Sequence, residues 1–477
     1  MKDAGGQISI RKKKLKELEN KGIEGYPSRT PRRIDLSQAL EKSEGEKIGV
    51  SGRMVSRRVM GKASFAHMQD STGKMQVYVR KDIVGEENLL LFKELDIGDF
   101  LWVEGELFTT RTGEKTVMAK EFKLLSKSLR PLPEKWHGLR DKELRYRKRY
   151  LDILSNSDSS EILKSRSIVI NSIRNSLSSE GFIEVETPVL QDIPGGASAR
   201  PFKTYHNAFD SDFFMRIAPE LYLKRLLVGG WDRVFEIGKN FRNEGISTQH
   251  NPEFTMLEVY CAYSDYRYMM DLSKKIILSV SKTLKDKGYE VATDLDRGWK
   301  EKNMWALITE HTEVEFSPED SFEELKEKAE KLQVPPGKDS PEKVLDRVFS
   351  KYVQPKLKEP VFITGFLSEY SPLAKTSPDD RRIAERFEIF INGQEVGNAY
   401  TEQNNPHMQR KMFEKQLTDN REEGFTGKMD LDYIEALEYG MPPASGLGIG
   451  VDRLVMLLSG AESIKEVMLF PMLRPLE

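Results

Sequence analysis

Only one cysteine, Cys261, occurs among the 477 residues, which excludes an internal disulfide and argues against a thiolate-bound zinc site. Histidine is scarce as well: six residues, none at metal-ligand spacing. No apolar stretch approaches the roughly 20 residues that a bilayer-crossing helix needs. The first twenty residues, MKDAGGQISIRKKKLKELEN, have no apolar stretch behind their charges, so a secretory signal is not expected. A reducing, cytoplasmic setting without a membrane is the simplest expectation. An excess of one charge is also missing, because 74 Lys and Arg meet 76 Asp and Glu, for a net charge of −2. That balance is uneven. Residues 1–62 hold sixteen Lys and Arg against eight Asp and Glu, leaving an acidic remainder. A polyanion would be met at the basic end.

The chain is too long for one ordinary core, so two or three domains are expected. Residues 1–45 read as a basic, helical lead that ends near Tyr26-Pro27. Residues 46–128 change character to five β-like runs: IGVSGRMVSRRVM, SFAHMQD, KMQVYVRK, DFLWVEGELF and TVMAKEFKLL. A helical piece, EENLLLFKEL, separates the third run from the fourth. Five strands with a helix at that point match an OB-fold barrel, a common platform for single-stranded nucleic acid. Residues 129–140, with LRPLPEKWHG, read as a linker. Residues 141–477 alternate strands with long helices, so an antiparallel sheet flanked by helices is expected and the chain is α+β. Asp158 and Glu161 are spaced to cap a helix whose Ile162, Val169, Ile173 and Leu177 line one face and which stops at Gly181. Residues 290–355, rich in Lys and Glu, read as a helical insertion without recognisable chemistry.

Charged chemistry concentrates in FRNEGISTQHNPEFTMLEVY (241–260), a polar loop between two strand-like runs. An arginine at the entry of such a loop can clamp an acidic ligand above a sheet. A Gly-rich turn, GLGIG (446–450), leads through Arg453 into an apolar helix. RFEIFINGQEV places Glu388 and Glu395 on either side of an Asn392-Gly393 turn, so both carboxylates can reach one ligand if the strands pair.

FRNEGISTQHNPEFTMLEVY (241–260), GLGIGVDRLVML (446–457) and GFIEVETPVL (181–190) resemble motifs 2, 3 and 1 of class II aminoacyl-tRNA synthetases. PGGASARPF (194–202) and RIAPELYLKRLLVGG (216–230) look like the lysyl branch of that class. The resemblance runs from about residue 48 to 475. It implies a barrel that reads an anticodon, a class II catalytic domain, and a homodimer built through motif 1. ATP, L-lysine and tRNA(Lys) are the implied partners, and Mg2+ the implied cofactor. Arg242 and Arg453 take the catalytic role by resemblance. ATP would meet Arg242, Glu244, His250, Asn251, Phe254, Glu388 and Arg453. Glu388 and Glu395 would hold the metal. Lysine would meet Gly196, Glu220, Glu258, Tyr260, Asn398, Tyr400 and Glu402, with Glu402 and Tyr260 at its ε-ammonium. In the barrel, Arg58, Phe65, Gln76 and Glu121 fall at the family's anticodon positions.

Two stretches depart from the usual pattern. Gln403-Asn404-Asn405 stands where Leu-Asn-Asp is common, and 424–433 is less acidic than usual. Three rivals are an aspartate or asparagine ligase, a non-catalytic RNA-binding relative, and an enzyme attaching a lysine analogue to protein. An acid at Glu402 is of no use to the first. The second should have lost Arg242, Arg453, Glu388 or Glu395. The third usually lacks the barrel.

Overall fold

Alternating apolar residues build the first unit, Met1–Gly138, of the computed structural model, which describes residues 4–133, 139–197, 199–335, 340–422 and 428–476. Strands β1 (Lys47–Val59), β2 (Ala63–Gln69), β3 (Lys74–Arg80), β4 (Phe100–Thr109) and β5 (Lys115–Ser126) close a barrel of order β1-β2-β3-β5-β4. Every second residue points inward, so Val50, Met68, Val77, Val79, Val103 and Val117 form its core. Helix Glu86–Glu94 adds Leu89 and Phe92 to that core. The OB-fold pattern is therefore present. The basic lead is tied to the barrel. Within helix Ala4–Asn20, Leu18 enters the barrel core, Arg11 donates to the Ser128 and Arg130 carbonyls, and Lys14 pairs with Asp96 at 2.7 Å. Part of its positive charge is thus used within the unit. Residues 134–138 of the linker lie outside the described residues.

In Leu139–Glu477 the strands are β6 (Ile183–Glu184), β7 (Leu190–Gln191), β8 (Lys203–His206), β9 (Ser211–Met215), β10 (Arg233–Phe241), β11 (Glu253–Ala262), β12 (Lys300–Asn303), β13 (Val361–Thr364), β14 (Arg386–Ile391), β15 (Gln394–Thr401) and β16 (Ala444–Gly450). Eight form one sheet of order β12-β13-β14-β15-β16-β11-β10-β6. It is antiparallel except at its ends, where β12–β13 and β10–β6 run parallel. Strands β7, β9 and β8 make a small separate sheet.

Helices Ser157–Ser179, Tyr266–Asp286 and Val451–Ser459 cover one face of the large sheet. Their Val169, Ile173, Leu177, Ile276, Val280, Leu454 and Val455 meet Leu257, Val259, Phe387, Ile389, Leu447 and Ile449. Each such side chain contributes roughly 1.5–3 kcal/mol on burial. The first of these helices starts a residue ahead of Asp158, with Asn156 as N-cap and no side-chain cap bond. Asp158 complements the helix dipole from the first turn instead.

Two elements differ from the sequence expectation. GLGIG is not a turn: it is most of β16, a central strand. Within 290–355, residues Lys300–Asn303 form edge strand β12, while Met304–Thr312, Phe322–Lys331 and Pro341–Tyr352 are helices with their own apolar cluster.

Candidate active site

Sheet register assembles the site. One row crosses five strands: Glu388, Asn398, Gly448, Glu258 and Glu236 stand side by side on β14, β15, β16, β11 and β10. Two residues along each strand lies a second row of Arg386, Tyr400, Gly446, Tyr260 and Val234. A spacing of two keeps side chains on one face, here the face away from the helices. Gly446, Gly448 and Gly450 leave the middle strand bare on that face, while Leu447 and Ile449 fill the core beneath. Above them is a cavity of about 370 Å3.

The β14–β15 hairpin turns through Asn392 (φ 48°) and Gly393 (φ 72°), both left-handed, as a two-residue hairpin turn requires. Ile389 then faces Gly397, but Phe390 faces Glu395, so Val396 is an extra, bulged residue. The bulge inverts the alternation. Glu395 consequently shares the cavity with Asn398 and Tyr400, while Val396 and Ala399 both reach the helix-side core.

At one end of the cavity stand two arginines. Arg242 sits over the Phe254 ring, 5.1 Å from its centre. Its Nε is buried without a hydrogen-bond partner among the described residues. Arg453 Nη1 donates to the carbonyl and Oε2 of Glu395, both at 3.0 Å. Burial and the neighbouring Arg453 charge hold His250 below the usual imidazole value, so it is neutral at pH 7. Its Nε2 accepts from Arg453 Nη2 at 3.0 Å, and its Nδ1 meets Ser247 Oγ at 3.0 Å. Glu244 and Asn251 also line this end. Asn251 Oδ1 is buried without a hydrogen-bond partner among the described residues.

Buried acids mark the other end. Glu220 Oε1 accepts from Tyr400 OH at 2.6 Å and from Lys224 Nζ at 2.6 Å. Glu258 Oε2 accepts from Tyr260 OH at 3.1 Å. Burial, with the charge of Glu220 adding to it, pushes the Glu258 carboxyl up to about 8. Gly196 and Asn398 complete the wall. Glu402 is not on the wall. It lies over Gly446 on the cavity face of the sheet, fully buried and ion-paired with Lys224. A Cβ on Gly446 would fall on Glu402 Oε1 and 2.5 Å from Tyr260 Cε1, so only glycine permits this approach. Glu388 is also off the wall: it accepts from Arg386 Nη2 at 2.7 Å, and burial, then the Glu395 charge, raises its carboxyl to about 8.

Several residues had no role in the sequence reading. Arg386 lines the cavity, donates to Asn398 Oδ1 at 3.1 Å, and faces Glu342 of helix Pro341–Tyr352 at 3.8 Å. That helix therefore brings a charge to the site from a stretch read as chemically silent. Its parity with Glu388 in RFE was the available signal. Asp452 precedes Arg453 and is buried. It pairs with Arg166 of the first long helix and accepts from Thr255 N at 2.6 Å. These bonds tie helix Ser157–Ser179 to β11 and to the start of helix Val451–Ser459, and no local pattern announces them.

In the barrel, Phe65 points outward and stacks on Tyr78, with centroids 4.2 Å apart and planes at 15°. Arg58 stands opposite Phe65 on β1. Gln76 donates to Glu114 at 2.7 Å and accepts from Thr116 at 2.9 Å, while His67 meets Glu114 at 2.8 Å. Glu121 lies further along β5, exposed and 3.1 Å from Lys123.

Residues 48–125 match a family model described as OB-fold nucleic acid binding domain. Residues 141–474 match tRNA synthetases class II (D, K and N). The fold and these matches are those of a class II aminoacyl-tRNA synthetase. A lysine–tRNA ligase of Pelotomaculum thermopropionicum is 50% identical over 100% of this chain and 96% of that protein. Lysine–tRNA ligases of Staphylococcus epidermidis and Staphylococcus aureus are 46% identical, covering 98% of each chain. The chain belongs to the lysine–tRNA ligase family of class II.

Proposed function

We infer that the protein joins L-lysine to tRNA(Lys) in two steps at this cavity, through lysyl-adenylate. The observation that carries the reading is the buried edge of Arg242, without a hydrogen-bond partner among the described residues, in one cavity with the buried acids Glu220 and Glu258. In the first step the lysine carboxylate oxygen attacks the α-phosphorus of ATP. A new P–O bond forms, the bond to the β-phosphate bridge breaks, and pyrophosphate departs. The carboxylate is already ionised, so no general base is needed. Both reactants are anions, and the Arg242 fork can hold a carboxylate and a phosphate together. Phe254 offers adenine a stacking face. Arg453, with neutral His250 beside it, serves the distal phosphates. In the second step a terminal ribose hydroxyl of the tRNA attacks the adenylate carbonyl and AMP leaves. ATP–pyrophosphate exchange across all twenty amino acids tests this. Exchange should depend on lysine; dependence on aspartate or asparagine instead would overturn it.

Glu388 and Glu395 are hard oxygen donors on paired strands, and the charge of Glu395 already opposes ionisation of Glu388. A divalent cation relieves such repulsion, so this pair fits Mg2+. Bound there, Mg2+ would supply positive charge to the polyphosphate.

The Glu258 carboxyl, titrating near 8, is mostly protonated at pH 7 in the free protein. A substrate ammonium favours its ionised form. Lysine binding should therefore release a proton at pH 7. Affinity should climb as pH rises from 6 toward 8, by at most about tenfold per unit, and level off above. Calorimetry in two buffers of different ionisation enthalpy reads the proton directly; no proton released at pH 7 would contradict the Glu258 role.

For tRNA, the outward Phe65–Tyr78 stack offers a flat face to an anticodon base, with Arg58, Gln76 and Glu121 as partners for base edges. Phe65→Ala should weaken aminoacylation by about tenfold to a hundredfold, the scale of one base–aromatic stack. Lysyl-adenylate formation should be spared. Equal loss in both assays would make Phe65 a folding residue.

Assembly as a homodimer is supported by exposed Ile183, Val189, Leu190, Tyr205 and Phe209 in and near motif 1. Sedimentation should give twice the 54.8 kDa chain mass. An active species that stays monomeric at nanomolar concentration would rule the dimer out.

A further inference from the structure

Glu220, Glu258 and Glu402 bring three buried carboxylates to the amino-acid end of the cavity. Lysine brings two ammonium groups there, its own carboxylate being assigned to Arg242. Burial pushes the Glu258 and Glu402 carboxyls up, so each needs a cation beside it to ionise. With lysine bound and all three ionised, three negative charges would meet two positive ones, and an unmatched charge in a closed site is costly. The remaining cation belongs to the protein. Lys224 follows Glu220 by four residues, so both leave helix Glu220–Val228 on one face. The Lys224 ammonium is fully buried. It donates to Glu220 Oε1 at 2.6 Å, forms an ion pair with Glu402, and lies 5.6 Å from the centre of the Tyr400 ring. Burial alone would lower its proton affinity, but the charges of Glu220 and Glu402 outweigh burial and keep it protonated. Among the described residues, neither Glu402 oxygen has a hydrogen-bond partner, so the Lys224 ion pair is the contact that meets its charge.

We propose that Lys224 is a positioning residue for amino-acid selection. It bridges Glu220 and Glu402, holds Glu402 against the gap at Gly446, and cancels one of three carboxylates, so the pocket's charge matches a diamino acid. The proposal rests on the lysine reading given above. An amino acid with a single ammonium, such as methionine or norleucine, leaves one carboxylate stranded and is rejected on charge rather than size.

A mutant cycle of K224M, E402Q and K224M/E402Q tests it, reading KM for lysine and KM for ATP in pyrophosphate exchange. K224M should raise the lysine KM by roughly a hundredfold or more, the scale for stranding a buried charge. The ATP KM should not move. In the E402Q background, K224M should add little, because its action runs through that carboxylate. If K224M alone fails to fold, the double variant still decides, since removing both partners strands no charge between them. Effects that multiply, a double variant much weaker than E402Q alone, or lysine and ATP KM rising together would overturn the proposal. A parent protein without lysine-dependent exchange would instead refute the functional reading. An active parent indifferent to K224M would refute the Lys224 proposal alone.

Discussion

Arg242→Ala is expected to lower lysine-dependent pyrophosphate exchange by roughly a thousandfold, the upper scale for losing one preorganised charge donor at a reacting centre. The guanidinium is held over Phe254 and its Nε is buried without a hydrogen-bond partner among the described residues. A buried donor kept empty in the free protein costs stability, so removing it should leave the melting temperature unchanged or higher. Arg242→Lys should recover little, because an ammonium cannot present two parallel donors to a carboxylate and a phosphate. Single-turnover measurement of adenylate formation separates this from product release. Near-parental adenylate formation in a folded Arg242→Ala variant would show that another group aligns the reactants.

Glu402→Gln is expected to reduce kcat/KM for lysine by about two to three orders of magnitude, because breaking a buried charge pair costs roughly 3–5 kcal/mol. The substitution keeps size and removes charge. Discrimination between lysine and norleucine should shrink with it. The carboxylate lies over Gly446, just beyond the cavity wall, so its influence passes over the bare glycine Cα. Gln403 and Asn404, which depart from the usual pattern, pack beside it: Gln403 N donates to the Leu373 carbonyl at 2.8 Å, and Asn404 receives Lys375 at 2.9 Å. These bonds continue the strand edge without touching the Glu402 charge. Residues 424–427 of the second departure lie outside the described residues. A variant that discriminates as sharply as the parent would remove the main support for lysine over an acidic or amide substrate.

The legible parts of this chain are those with a local period or turn. Five alternating runs specified the barrel, and Asn392-Gly393 specified the hairpin that carries Glu388 and Glu395. The polar loop 242–252 stood out because apolar strands flank it. GLGIG misled because glycine carries no apolar signal: a strand with three glycines on its ligand face looks like a turn. Its alternating Leu447 and Ile449 were the clue. Strand β12, KEKN, is polar throughout and held by backbone pairing to β13, so no side-chain pattern marks it. The Val396 bulge is a matter of register, which emerges only when two strands are paired. The Arg166–Asp452 bond spans 286 residues and is invisible to any window. Lys224 was within reach, since Glu220 and Lys224 are spaced i, i+4 on a helix whose other residues, Arg225 apart, are apolar or aromatic.

The central claim is that this cavity charges tRNA with lysine. Its most direct test presents the purified protein with ATP, unfractionated tRNA and all twenty amino acids together. The tRNA is then digested and the 3′-terminal aminoacyl-adenosine is identified by mass. Lysyl-adenosine alone, carried by tRNA(Lys), is the expected result. Aspartyl- or asparaginyl-adenosine, or tRNA left uncharged by a folded protein, would contradict it.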